Sequence, residues 1–235
     1  MMDDTNEKAV SADTGSGKGR LVRIAAEAVS LSGILNIPAQ AHGLVILAHG
    51  IDAAVENPHQ NIIALSDALN QLSLATLQVD LFSSDERAFD QHTEYFRQNL
   101  DIMQQRIVGT AQWFTENPGT DTLSIGYFGI DEVGAAALIA AAERPDMVAA
   151  VVAAGQHADL AQSYISRVLA PTLLLAAEKD TTTIATNQQL FSSLQSEKQS
   201  ERIPGASAIF ESDQAFNEVT RIVGDWFARW LVTVG

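Results

Sequence analysis

Apolar residues recur along this chain with two periods, and the switches between them outline its elements. Leu21–Ala26 and Val29–Ile37 alternate apolar and polar positions, which predicts an antiparallel pair with one buried face. Leu44–Ala48 is a continuous apolar run ending in His49-Gly50 and reads as a strand buried on both faces. Ile62, Ile63, Leu65, Leu69 and Leu72 fall at helical spacing, and Ala75–Leu81 is the next strand. A longer helix is predicted from about Glu94 to Glu116. The strand Thr122–Phe128 turns through Gly129 into the alanine-rich stretch Ala135–Ala142. Met147–Ala154 and Thr172–Ala177 are two more strands, with room between Ala154 and Pro171 for one short helix. Val219, Ile222, Val223, Trp226, Phe227, Trp230 and Leu231 form one stripe of a closing helix, so the two tryptophans read as core packing. Alternation of this kind predicts an α/β fold with a mainly parallel twisted sheet and helices on both faces.

Composition narrows the chemistry. The 235 residues contain no cysteine, which excludes a disulfide scaffold, a cysteine-ligated metal centre and a thiol nucleophile. The formal net charge is −15; four acids and three bases lie in the first 20 residues, so the body carries −14. Such a field repels phosphate backbones and anionic membranes, and neither nucleic acid nor a membrane is expected as a partner. The amino terminus has no basic start or apolar core, and no apolar run is long enough to span a bilayer, so a cytoplasmic protein is expected. The Gly17-Lys18 pair lacks the first glycine and the following Ser or Thr of a phosphate loop. Residues 1–20 are expected to be a disordered tail, and 21–235 a single domain.

In an open parallel sheet ligands bind beyond the carboxyl ends of the strands. Five segments occupy those places: His49-Gly50-Ile51-Asp52, Asp80-Leu81-Phe82, Gly129 through Gly134, Gln156-His157, and Glu178-Lys179-Asp180. Together with Gly126-Tyr127-Phe128-Gly129, Ala142 through Asp146, Ala170-Pro171-Thr172, Ile203-Pro204-Gly205-Ala206 and Asp225-Trp226-Phe227, their order resembles the α/β-hydrolase superfamily, in its lidless dienelactone-hydrolase-like branch. The resemblance runs from about Val22 to the carboxyl terminus. It implies a three-layer α/β-hydrolase fold with no lid domain, and a nucleophile, acid and histidine in that chain order.

The matching positions depart from that pattern. The elbow reads Gly129, Ile130, Asp131, Glu132, Val133, with aspartate in place of the serine or cysteine and valine in place of the second glycine. Ser207, Ala208, Ile209 and Phe210 follow Pro-Gly-Ala where a histidine is usual, and no histidine occurs after His157. The acid has its counterpart in Asp180. By resemblance His49, Gly50, Ile51 and Glu132 shape the oxyanion loop, with the amides of Ile51 and Glu132 as donors, although Asp52 and Glu132 would set negative charge against an oxyanion. His157 is the best surrogate base, though a lone histidine at a strand end is more often a polar loop residue.

Without a nucleophile and its base the acyl-transfer cycle has no route. The expectation is therefore a dienelactone-hydrolase-like protein with a degenerate triad that binds a small molecule or a protein. The alternative is a hydrolase of esters or related small substrates using Asp131 as nucleophile or base, with Asp180 and His157 in support. Clustering of Asp52, Asp131, Glu132, Glu178 and Asp180 would suit a hard cation; solvated carboxylates, or pairs with Lys179 and arginines, are the commoner outcome in so acidic a chain. No cofactor or metal is assigned, and His42, His59 and His92 show no ligand spacing.

Overall fold

The computed structural model describes residues 19–26, 29–51, 58–116 and 122–231. Eight strands form one sheet: β1 (Arg20–Ala26), β2 (Val29–Asn36), β3 (Gly43–His49), β4 (Ala75–Asp80), β5 (Ser124–Ile130), β6 (Ala150–Ala154), β7 (Thr172–Ala177) and β8 (Lys198–Ile203). Their order is β1-β2-β4-β3-β5-β6-β7-β8. The β1, β2 and β4 pairings are antiparallel, and from β4 to β8 every neighbour is parallel. Helices α1 (Pro58–Gln71) and α6 (Asp213–Trp230) cover one face; α3 (Leu100–Thr115) and α4 (Glu132–Glu143) cover the other, with α2 (Ser84–Thr93) beyond the end of β4 and α5 (Thr181–Ser193) between β7 and β8. This is the three-layer arrangement the apolar pattern predicts. The span from 155 to 171 holds only two short 3₁₀ turns, so no lid rises from it.

Several boundaries differ from expectation. Strand β1 starts at Arg20, paired with Leu35, inside the stretch assigned to the tail; residues 1–18 lie outside the described residues. The helix expected from Glu94 begins at Leu100, and a separate helix that the pattern does not predict, α2, precedes it, with the turn between them fixed by Asp90. Glu94 caps α2 in a left-handed conformation (φ 55°), and the buried Asp90 carboxylate accepts from the Phe96 and Arg97 amides at 2.7 and 3.1 Å. Strand β8, Lys-Gln-Ser-Glu-Arg-Ile, went unpredicted because an edge strand exposed on one side carries almost no apolar signal. Helix α5 likewise lacks a broad apolar stripe. Among the described residues no helix is long and apolar enough to cross a membrane.

Two clusters of apolar side chains, one on each face, hold the layers together. The alanines of α4 let that helix lie close against the sheet, and nearly every residue from Val133 to Ala142 is buried. On the opposite face Gly126 admits Phe227, whose ring carbons would lie 2.5 and 2.8 Å from a Cβ there. Trp226 and Phe227 are buried in the α6 stripe, and Trp230 is partly buried against the same cluster.

Tyr127 is 1% exposed, and its hydroxyl has no hydrogen-bond partner among the described residues. Burial drives its pKa well above the ordinary value. A hydroxyl desolvated without compensation is a cost of about 1–3 kcal/mol. Tyr127→Phe is therefore expected to raise the unfolding free energy by about 1 kcal/mol in urea titration.

A charged network fastens α2 and α3 beneath the end of β4. Ser83 and Glu86 form a capping box on α2, and Arg106 donates to Glu86 Oε2 at 2.9 Å and to the Leu81 carbonyl at 2.6 Å. Burial pushes the Glu86 and Asp90 carboxyls up, but hydrogen bonds from Arg106 and Ser83 to the one, and from Arg97 and Phe96 to the other, hold both below their ordinary values of 4.5 and 3.8. A carboxyl depressed in the folded state adds stability above its unfolded pKa and loses it as pH falls through the folded one. The urea midpoint should thus stay level from pH 7 to 5 and decline below pH 4.5, with a shallower decline in Asp90→Asn.

Candidate functional site

The site is built where β5, β6 and β7 end. Asp131 is the single residue between β5 and α4, with φ 52° and ψ −124°. This is the sharp strand-to-helix turn that presents a side chain at the top of the sheet. It depends on close approach of the two elements: a Cβ on Gly129 would lie 2.6 Å from the Val133 carbonyl and 2.7 Å from the Gly134 nitrogen. A Cβ on Gly134 would meet the Gly129 oxygen at 3.0 Å. Gly134, one place beyond the expected second glycine, is thus the residue that admits the strand. Val133 is buried at 6% exposure, with a methyl 3.0 Å from where a Gly50 Cβ would stand.

Asp131 and Asp180 are linked through Gln156. The Asp131 amide donates to the Ala154 carbonyl at 2.9 Å, while Asp131 Oδ1 accepts from the Gln156 amide at 2.6 Å. The Gln156 side chain donates from Nε2 to Asp180 Oδ2 at 3.1 Å. Asp180 also caps α5, accepting from the Thr183 amide at 3.0 Å and the Thr183 hydroxyl at 2.7 Å. The bond from the Thr183 amide does most to hold its carboxyl below the usual value, with the Thr183 hydroxyl and Gln156 adding to it. The acid that a triad would aim at histidine therefore already has donors at both oxygens.

His157 follows in a left-handed conformation (φ 64°), half exposed, with Nε2 3.7 Å from Glu132 Oε1. Its ring faces the start of α4. His49 ends β3 opposite Asp80, and its carbonyl accepts from the Leu81 amide at 3.0 Å. Gly50 offers its carbonyl to Arg87 Nη2 at 3.3 Å, and Arg87 is ion-paired with Asp80, so Asp80 anchors the loop that continues into Ile51. Asp52 and the side chain of His59 lie outside the described residues. His42 donates its amide to the Ser73 carbonyl at 3.1 Å, and His92 is exposed on α2.

The clustered-carboxylate reading finds no support. Glu178 accepts from the Gly205 amide at 2.7 Å and Asp180 caps α5, so both serve loop structure. Among the described residues no three His, Cys, Asp or Glu side chains are grouped as a metal site requires. The last loop is held by the Lys179 amide on the Ala206 carbonyl at 2.9 Å and by Glu211 on the Ser207 amide. Ala208, where the resemblance leads one to expect a histidine, follows directly.

Gln156 and Thr183 are the site residues that spacing alone does not single out. Thr183 had a signal: Asp180 followed by polar residues is a helix-start pattern with the cap three residues ahead of its amide. Gln156 stands in one of the five strand-end segments, but nothing in the sequence signals its role, which comes from the meeting of three strand ends.

No family model matches the chain. It is 30% identical over 214 residues to a Mycobacterium tuberculosis protein named "Putative phosphoribosyl transferase", with 91% of this chain covered. The chain spans about half the length of the curated relatives it matches, 47%. In structure it is similar to the dienelactone hydrolase of Anabaena variabilis: TM-score 0.86 and 36% identity, over 91% of this chain and 98% of that one. A dienelactone hydrolase-like promiscuous phosphotriesterase from metagenomic libraries shares the fold at TM-score 0.71 and 14% identity, over 92% and 100% of the two chains. Similarity at 36% identity over nearly the whole of both chains places this protein in the dienelactone hydrolase family of α/β-hydrolases.

Proposed function

We propose that this chain is a family member that has lost acyl-transfer chemistry and acts by binding a small molecule or a protein. One observation carries the reading: the carboxylate in the nucleophile's place is held by the Gln156 amide, and the acid's oxygens are occupied by Thr183 and Gln156. Alanine at 208 leaves the base position without a titratable group. In a serine protease the loss of nucleophile or histidine costs roughly a millionfold in turnover. The net charge of −15 disfavours nucleic acid and anionic membranes as the bound partner, and a cytoplasmic setting fits this reading. Because the chain matches about half of longer proteins named for phosphoribosyl transfer, a phosphoribosyl transferase is the first protein partner to test. Progress curves for p-nitrophenyl esters of two to eight carbons should match buffer alone; saturable turnover of any of them would refute the reading.

A second reading, hydrolysis with Asp131 as nucleophile or base and His157 and Asp180 in support, is favoured by the elbow conformation, which Asp131 keeps at φ 52°. On an ester, a nucleophilic aspartate attacks the acyl carbon and expels the alcohol, forming a mixed anhydride; water then attacks the aspartyl carbonyl carbon, releasing the substrate's acid and regenerating the carboxylate with one water oxygen. Single turnover in oxygen-18 water would leave label in Asp131. Turnover without label would remove the nucleophile role.

A further inference from the structure

We infer that Asp131 is a structural staple, which binds the β6 exit loop across the elbow and, through Gln156, ties three strand ends together where a triad would operate. The inference rests on the non-catalytic reading of this site and gives its carboxylate a task. Asp131 reaches from the end of β5 to the amide of Gln156 at 2.6 Å, after β6; Gln156 reaches from there to Asp180, after β7, at 3.1 Å. The loop so held contains two left-handed residues, Gly155 at φ 81° and His157 at φ 64°. Glycine adopts a left-handed backbone freely, but for His157 it is uncommon and needs support from the surrounding loop. Gly155 is required twice over, since a Cβ there would collide with Asp131 Oδ1.

The staple also accounts for the elbow's shape. A non-glycine residue at φ 52° and ψ −124° is strained, and such strain persists where the surroundings over-determine it. In a working hydrolase the turn serves to present the nucleophile. Here the same turn aims the carboxylate at the Gln156 amide, so the strained geometry outlasts the chemistry because a hydrogen bond to an ionised acceptor depends on it.

Native-state hydrogen exchange on the full chain tests this. In Asp131→Ala the Gln156 amide should exchange at least about tenfold faster, with the Val152 amide in the core of β6 unchanged. Asp131→Gly separates staple from strain: glycine relaxes the turn but has no carboxylate, and the Gln156 amide should be released equally. Gln156→Ala should loosen the Asp180 side, speeding exchange of the Thr183 amide by a smaller factor. Protection of Gln156 unchanged in both the alanine and glycine variants of Asp131 would overturn the staple. If either variant does not fold, the other decides alone with the same two outcomes; Asp131→Asn, which keeps an oxygen acceptor and removes the charge, should speed exchange by a smaller factor. Ester hydrolysis by the parent protein would refute the non-catalytic reading while leaving the exchange result standing, so the two failures are distinguishable.

Discussion

Replacing Asp131 with serine and Ala208 with histidine in one chain is expected to raise p-nitrophenyl acetate turnover at least about a hundredfold over the parent, while either replacement alone leaves it at background. The non-additivity follows from the chemistry. A serine at 131 has no acceptor for its proton without the histidine, and a histidine at 208 has no attacking group to serve. The remaining parts are present: the sharp turn at 131, the close β5–α4 approach through Gly129 and Gly134, and an ionised Asp180 after β7. The gain should fall far short of a full triad, since Asp180 has Thr183 and Gln156 as donors and Glu132, the residue after the elbow, carries negative charge. Adding Gln156→Ala, which frees one side of Asp180, should raise turnover further. Comparison of initial rates across the four variants measures each step.

The largest stability loss is expected at a residue remote from that chemistry. Asp90 is 0% exposed, accepts the Phe96 and Arg97 amides, and is ion-paired with Arg97 Nε at 2.6 Å. Asp90→Ala removes the acceptor and leaves two backbone donors in a place water does not reach, together with an Arg97 that has lost its partner. Breaking a fully buried pair on one side costs about 3–5 kcal/mol, and Arg97, whose side chain is 24% exposed, keeps this case at the low end. A loss of about 3 kcal/mol in urea unfolding is expected. Asp90→Asn, which keeps one acceptor, should lose less. The damage should spread toward the site, because Phe96 packs on Phe82 at 5.7 Å and Phe82 lies 3.8 Å from where a Gly50 Cβ would stand.

Much of this architecture is legible in the sequence because burial on two faces imposes continuous apolar runs. Val45 through Leu47 and Leu173 through Leu175 declare their strands without ambiguity, and the α6 stripe declares its helix. Strand β8 is silent for the converse reason: at the sheet edge its side chains meet solvent, and its register comes from pairing with β7. Helix α2 and the turn after it carry no such signal either: the helix is mostly polar, and the Asp90 carboxylate that receives the Phe96 and Arg97 amides is a tertiary device with no periodic signature. At the site, the places of Asp131 and Asp180 follow from motif order, and their convergence follows from parallel topology. The expectation for His157 as surrogate base rested on position along the chain alone; the ring direction toward Glu132 depends on a left-handed backbone at 157 that spacing does not encode. Gln156 is placed at a strand end by the sequence but its role is not legible there, as its backbone and side chain serve two different carboxylates.

The central claim is that the elbow carboxylate performs no acyl-transfer chemistry. Its most direct test is kcat/KM for p-nitrophenyl acetate measured side by side in the parent and in Asp131→Ala, both shown to be folded. The account predicts that the two match each other and the buffer rate. Hydrolysis well above buffer in the parent, abolished in Asp131→Ala, would contradict it.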